Sequence, residues 1–580
     1  MKKYLILTYL LLHSYCSYAY TPPVGIPAPT WGIDETIPAR PNPWTSDVAG
    51  YYYVDNTAGT DSGRTYGNPT APRKTVPATL SKGAYLEING NYGADSVTGS
   101  GTGEAWSANS DGPIWITCAS ASKANCTITG KFEVYGSYVY LDNLSVSSKI
   151  QTGSTTESES LAVDHVMIRN CDVYGDNTTT VQGGIAVLGS DNATPVNTTV
   201  NVIVYNNTVH NFGDMDQTTD VDTGSVVAGN GAVSYVWLLE NTVSYISNSS
   251  MFAGGQSGSD PSLCHHIYFG KNTIHDVNVV AIGIKNITNA IISENVVYNI
   301  NPEGWSPGKC FGAQYDFNEL WLINNTCYHA PWGLRTGDDA GAGPHNLYII
   351  GNLFYDISWE YHCNYTAVSD SWCRHDDHEE DQIYNTGVVH TEGAIVLDGG
   401  TNNYIINNTF YDVSSGILSN QPNHYIENNI IVTANDGGWH VWLNSPGDND
   451  TLRNNIFYQP AGTWQVRWGA STDYNTLAAL YAAKGWCDPT YCKATDPQLV
   501  NPTTSFALQS SSPAVGAALA AASLTTDVFA LFTTNYSLDI AKDIAGTTRP
   551  QQTTWDIGAY EYTPGALKGI STGSGSLNMR

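Results

Sequence analysis

An asparagine phrase recurs along most of this chain, and its spacing restricts the fold more than any other feature. Asn-Leu-Ser-Val begins at Asn143, Asn-Cys-Asp-Val at Asn170, and Asn-Thr-Val at both Asn207 and Asn241. Asn272, Asn295, Asn325, Asn352, Asn408, Asn429 and Asn455 open the later copies, most of them after an alternating apolar stretch such as Tyr348-Ile349-Ile350. The intervals are 27, 37, 34, 31, 23, 30, 27, 56, 21 and 26 residues. A shortest interval of 21 with elastic excess fits one coil of a parallel β-helix, three short strands joined by three turns. Asn tolerates a left-handed turn, and stacked Asn side chains can bond to the Asn of the next coil. Each coil would bury its apolar residues only against its neighbours, so the array makes one core. The expected fold is all-β: a right-handed single-stranded parallel β-helix with capped ends.

Composition agrees, with 55 glycines, 37 tyrosines and only 13% charged residues. Residues 1–19 have the layout of a cleavable secretory signal: Lys2 and Lys3, an apolar run to Leu12, and small residues before a cut after about Ala19. Residues 20–45 read as a Pro-rich extended segment, 46–130 as an N-terminal cap with the first coils, and 131–470 as the helix body with an insertion near 359–391. Residues 471–562 read as a C-terminal capping module and 563–580 as a flexible Gly/Ser-rich tail. The expectation is a secreted monomer with no membrane span. With 24 Lys and Arg against 53 Asp and Glu, the net charge of −29 argues against nucleic acid and anionic membranes as partners. In an oxidising compartment the cysteines other than Cys16 are expected to pair. Short spacings suggest Cys118–Cys126, Cys363–Cys373 and Cys487–Cys492, with Cys171, Cys264, Cys310 and Cys327 left to pair in an order the spacing does not give.

The closing region carries Asp496-Pro-Gln-Leu-Val, Phe506-Ala-Leu, Ser512-Pro-Ala, Asp543-Ile-Ala-Gly with Arg549-Pro550, and Asp556-Ile-Gly-Ala-Tyr-Glu561, in that order. This run resembles the choice-of-anchor Q module that closes secreted right-handed β-helix proteins. With the coil phrases, the resemblance covers roughly residues 46–562. It is similar to polysaccharide lyases of the chondroitinase B and alginate lyase type, and more distantly to pectate lyases and polygalacturonases. The resemblance implies architecture and an extracellular acidic polysaccharide as partner; the chemistry must come from side chains.

Outward residues at one position in successive coils stack about 4.8 Å apart. Three coils offer Gly283-Ile284-Lys285, Gly312-Ala313-Gln314 and Gly333-Leu334-Arg335. If Ile284, Ala313 and Leu334 point inward, Lys285, Gln314 and Arg335 share one outer column. Counting back ten residues from the repeat Asn instead aligns Lys285 with Tyr315 and Asp398. A β-eliminating lyase needs the uronate carboxylate neutralised, a base for the C5 proton and help for the leaving oxygen. Arg335 suits the carboxylate, Lys285 the proton, and calcium on Asp316, Asp338 and Asp339 could share the neutralisation. Gln314, Tyr315, His266 and Trp332 are candidate sugar contacts. A second metal site could form at His375, Asp377 and His378 in the insertion. The rival enzyme is a glycoside hydrolase using paired aspartates on the same face, since Gly337-Asp338-Asp339 is similar to the polygalacturonase pair. A third reading is a non-catalytic glycan-binding or matrix protein. Trp305, Trp321, Trp332, Trp359 and Trp372 fall around the same coils.

Overall fold

The computed structural model describes residues 20–564 apart from 100–111, 157–160, 178–182, 193, 216–226, 256–259, 302–307, 338–344, 359–392, 435–437 and 448. Residues 1–19, read above as a signal sequence, residues 565–580 of the expected tail, and the insertion whose Cys363 and Cys373 were expected to pair lie outside the described residues. Among the described residues thirty-seven strands hydrogen-bond into one wound sheet, its strand pairs parallel except where Val466–Trp468 meets Thr472–Tyr474. The winding is that of a right-handed parallel β-helix with three faces. The first face carries strands such as Val233–Leu239, His265–Gly270 and Asn346–Ile350, and the second Thr273–Asn278, Val296–Asn301 and Thr326–Ala330. The third carries Ser249–Gly254, Trp332–Thr336, Ile395–Leu397, Ile417–Ser419 and Val441–Leu443. Val280–Ser293 and Lys309–Ile323 are long enough to turn the corner from the third face to the first.

The asparagine phrase does two jobs that the repeat merges. From Asn207 to Asn455 the phrase Asn is a buried ladder residue: from Asn241 onward each Oδ1 accepts from the backbone and amide nitrogens of the Asn one coil earlier, as Asn325 does from Asn295 at 3.0 and 2.9 Å. The left-handed corner residue is the one before it, including Asn206, Lys271, Glu294, Asn324 and Asn407. Asn143 and Asn170 occupy that corner position, so the ladder column in those coils holds Leu144 and Cys171. The expectation of one Asn both turning the chain and stacking is corrected here. A buried ladder amide costs nothing only if all its bonds are made, and they are.

The first face is apolar on both sides because it is covered on both sides. Residues 20–45, without a helix or strand, run along its outside and bury Val24, Ile26, Ile33 and Trp44 against Tyr85, Tyr140, Met167, Ile203 and Tyr268. Polar side chains hold the strap: Arg169 donates to the carbonyls of Gly32 and Ile33, and Trp237 Nε1 to that of Pro27. The helix Val528–Tyr536 continues the cover with Phe532 on Trp321. Residues after Asp496 close the second face with Leu499, Phe506 and Ile557.

Cys118–Cys126, Cys310–Cys327 and Cys487–Cys492 are disulfides, whereas Cys171 and Cys264 are buried free thiols. Full cysteine pairing is therefore corrected: Cys171 is committed to the ladder column, where its backbone nitrogen donates to Asn207. Burial pushes its thiol pKa up to about 12.

His440 is wholly buried near the C-terminal end, its Nε2 donating to the Tyr458 carbonyl at 2.9 Å and its Nδ1 accepting from the Gln465 nitrogen. Desolvation lowers its pKa from 6.5 to about 4. Between those values the unfolded chain binds a proton the folded chain refuses, so stability is complete above pH 6.5 and falls as pH drops toward 4. The shift corresponds to about 3 kcal/mol. Urea midpoints at neutral pH and near the folded pKa should show this loss. His440→Gln, whose amide can donate to the same carbonyl, should remove about one proton's worth of the slope; an unchanged slope would show that His440 is not its source.

Candidate functional site

Among the described residues, the third outer face is the one neither covered by another segment nor filled by a file of stacked rings. The first is covered. The second carries a file of rings, His275, Tyr298, Tyr328 and Tyr355, stacked at 5.0, 5.0 and 4.6 Å. Their flat faces are occupied by one another and only edges reach solvent, which is the wrong presentation for stacking on a sugar.

On the third face Ile282, Phe311 and Leu334 pair across three coils and point into the core. Lys285 pairs with Gln314, as expected, and both face outward. Arg335 pairs with Gly312, two residues short of Gln314. Two residues keep a side chain on the same face, so Arg335 stands in the neighbouring column. The single file of Lys285, Gln314 and Arg335 is corrected to two columns. One runs Gly254, Lys285, Gln314, Gly337, Asp398, Asn420; the other runs Phe252, Gly283, Gly312, Arg335, Val396, Leu418, Trp442. The alternative alignment of Lys285 with Tyr315 fails because Tyr315 is a corner insertion at φ 62. One residue separates Lys285 from Ile287, and two separate Gln314 from its partner Phe317. The same count places Asp398 correctly in the column of Lys285.

The two-column arrangement puts a glycine floor, Gly283 and Gly312, on two successive coils between Phe252 and Arg335, three rungs or about 14 Å apart. Both glycines are buried: a Cβ on Gly312 would stand 3.2 Å from Lys309 Cε and 3.3 Å from Val280 Cγ2, and one on Gly283 would stand 3.4 Å from Phe252 Cδ2, so these side chains lie over the floor. Lys285 and Gln314 border the floor on one side, Lys309 on the other, and Arg335 closes its end. The Arg335 guanidinium lies 4.3 Å from the centroid of the Trp332 ring and its Nε donates to Asp398 Oδ2 at 3.2 Å. Lys309 Nζ is 5.9 Å from the same ring, and Lys285 Nζ is 5.2 Å from the Tyr315 ring. Three cations thus surround one floor in a chain of net charge −29. Trp332 is 5% exposed and its Nε1 has no hydrogen-bond partner.

The remaining candidates separate from this group. His266 sits at the corner of the preceding coil, in line with Asn289, stacked on Tyr235 at 4.6 Å with its Nδ1 2.8 Å from His265 Nδ1. Burial and the neighbouring His265 hold its pKa below the usual imidazole range. Asp316 is at the next corner, where His345 Nε2 is bonded to its Oδ1 at 2.9 Å. Asp338, Asp339, His375, Asp377 and His378 lie outside the described residues. Among the described residues no group of three or more His, Cys, Asp or Glu side chains could hold a metal ion. Trp321 is core to the strap interface, stacked on Tyr348 at 3.7 Å, and Trp305, Trp359 and Trp372 lie outside the described residues.

Lys309 and the aromatic end of the face were missed from the sequence. Val441-Trp442-Leu443 alternates inward, outward, inward, which could have flagged Trp442. Lys309 precedes the alternating segment and carried no such signal.

No family model matches the chain, and no curated sequence matches it. Solved structures similar to it include a PL6 family alginate lyase at 12% identity and a TM-score of 0.32, covering 68% of this chain and 53% of that one. A GH136 lacto-N-biosidase from Eubacterium ramulus is 12% identical with a TM-score of 0.32, covering 72% of this chain and 65% of that one. A mannuronic acid specific family 6 lyase from human gut microbiota is 14% identical with a TM-score of 0.31, covering 72% and 87%. This chain spans only about half to two thirds of the first two. The likeness is one of winding, and the chemistry rests on this chain's own side chains.

Proposed function

We propose that the third face binds an extracellular acidic polysaccharide and cleaves it by β-elimination over the Gly283–Gly312 floor. The observation that carries this reading is the gathering of Lys285, Lys309 and Arg335 around the Gly283–Gly312 rungs in a strongly acidic chain. Arg335 would hold the uronate carboxylate, its guanidinium set by Trp332 and Asp398, and so acidify the C5 proton. Lys285, from its neutral form, would take that proton; the C4–O bond then breaks, a C4–C5 double bond forms, and the new ammonium can protonate the departing oxygen. Gln314 can hydrogen-bond sugar hydroxyls beside Lys285. Calcium on Asp316, Asp338 and Asp339 could share the neutralisation of the uronate carboxylate; the scheme routes no step through it. Hydrolysis by paired carboxylates gains no support from Asp398, which is held by Arg335. Three disulfides fit an oxidising, extracellular setting, and no described helix is long and apolar enough to cross a membrane.

The test is incubation with a panel of uronate polymers, following the ultraviolet absorbance of the unsaturated uronate. Wild type should generate it, and Arg335→Ala and Lys285→Ala should each lose about a hundredfold in kcat/KM with unchanged thermal unfolding. New reducing ends without the absorbance, or a Lys285→Ala protein as fast as wild type, would overturn the proposal.

A further inference from the structure

The charge pattern beyond the floor says which acidic glycan fits. Past Arg335 its column continues as Val396, Leu418 and Trp442, and the neighbouring column as Asp398, Asn420 and Asn444. The second column is a chain of hydrogen bonds: Asn420 Nδ2 donates to Asp398 Oδ1 at 2.7 Å and Asn444 Nδ2 to Asn420 Oδ1 at 2.9 Å. Asn420 and Asn444 are exposed, so their remaining amide groups face solvent. Trp442 is half-buried with its Nε1 fixed on the Gly469 carbonyl at 3.0 Å, and its ring packs against Trp439 at 4.7 Å.

Among the described residues the third face of these coils carries no outward cation until Arg467; Arg453 lies on the first face, paired with Glu427. That guanidinium is already matched by Asp473, with bonds of 2.7 and 2.6 Å, and lies 4.2 Å from the Trp439 ring centroid. It backs the aromatic patch and brings no net charge to it. On the other side of the floor, Phe252, Gly254 and Asn230 are also uncharged.

Among the described residues, a polymer lying along the columns meets cations over about three rungs. In a homopolyuronate the next carboxylates would face Asp398 and the apolar cluster of Trp332, Val396, Leu418 and Trp439, on which Trp442 packs. A carboxylate desolvated against an apolar surface beside a second carboxylate is strongly disfavoured. A neutral sugar at the same place gains a ring platform and amide partners for its hydroxyls. From this pattern we infer that the substrate is a heteroglycan in which each uronate is flanked by uncharged sugars, with Trp442, Asn420 and Asn444 forming the neutral subsites. The inference rests on the lyase reading for its centre and on the strip beyond Arg335 for its specificity.

The experiment compares hyaluronan, whose uronates alternate with uncharged N-acetylhexosamine, with polygalacturonate as the homopolymer. Elimination rate and retention in affinity electrophoresis are measured on both. Wild type should favour the alternating polymer at least about tenfold in kcat/KM. Trp442→Ala should raise KM on it about tenfold with kcat little changed. Asn444→Lys, adding a cation at an exposed position of the strip, should narrow the preference. Equal or faster elimination from the homopolymer would overturn the inference and leave the lyase reading standing. Preferential retention of the alternating polymer without elimination would do the reverse. Retention of neither polymer removes both.

Discussion

An Asn325→Ala protein is expected to lose about 3–5 kcal/mol of stability although no charged group, ring or cavity-sized side chain is removed. Asn325 Oδ1 accepts from the Asn295 backbone nitrogen and amide, while its Nδ2 donates to the Ile292 carbonyl at 2.8 Å and to Asn352 Oδ1 at 2.9 Å. The site is fully buried, so water cannot replace these partners. Alanine leaves the Asn295 N–H without an acceptor and strips the carbonyl of one donor, each about 1–3 kcal/mol. The ladder also runs through neighbouring coils, so the defect cannot relax locally. Urea unfolding should show a lower midpoint at similar slope, with faster amide exchange at Asn295. A midpoint within about 1 kcal/mol of wild type would mean that the ladder is a by-product of the winding.

The second large effect belongs to the closing module. Arg549→Met is expected to cost about 3–5 kcal/mol and to make the segment after residue 496 sensitive to protease. The Arg549 side chain is 1% exposed; its Nη1 meets Glu561 Oε1 at 2.7 Å and its Nη2 the Gly558 carbonyl at 2.9 Å. Desolvation lowers the guanidinium pKa and raises that of Glu561, each opposed by the charge of the other. Removing one partner leaves the other buried and uncompensated. Asp543 and Asp556 serve the same knot by accepting from the backbone nitrogens of Glu561 at 2.9 Å and Gly516 at 2.6 Å. An Arg549→Met, Glu561→Leu double variant should be more stable than the single one, because the Glu561 carboxylate no longer lies buried opposite a missing guanidinium. A single variant with native protease resistance would show that the module is held by Phe506, Ile557 and Phe532 alone.

The closing motif is thus legible as chemistry only after folding. The sequence marks its Asp, Arg and Glu residues as motifs of a closing module, and the structure shows that they satisfy buried backbone and one another. The reverse holds on the third face, where nothing marks Gly283 and Gly312 as the floor of a site. His266 and Asp316 were drawn into the candidate group by proximity along the chain. Corners separate them from Lys285, because a few residues past a β-helix corner change the face entirely.

The recurring asparagines and their elastic intervals determined the coil by themselves, since only a stacked solenoid lets an identical phrase meet itself at each turn while loops of any length leave between. Alternation around Lys285, Gln314 and Arg335 also determined that all three face outward. Their columns were decided by tertiary structure: the Tyr315 insertion shifts the count by one, and Arg335 enters its coil two residues out of step with Gln314. Register between coils is set by backbone pairing and core packing across the whole rung, a sum no local pattern contains. The covering of the first face was decided in the same way, by a strap and a helix more than 450 residues apart in the chain that meet where Gly25 lies against Phe532 and Ile540.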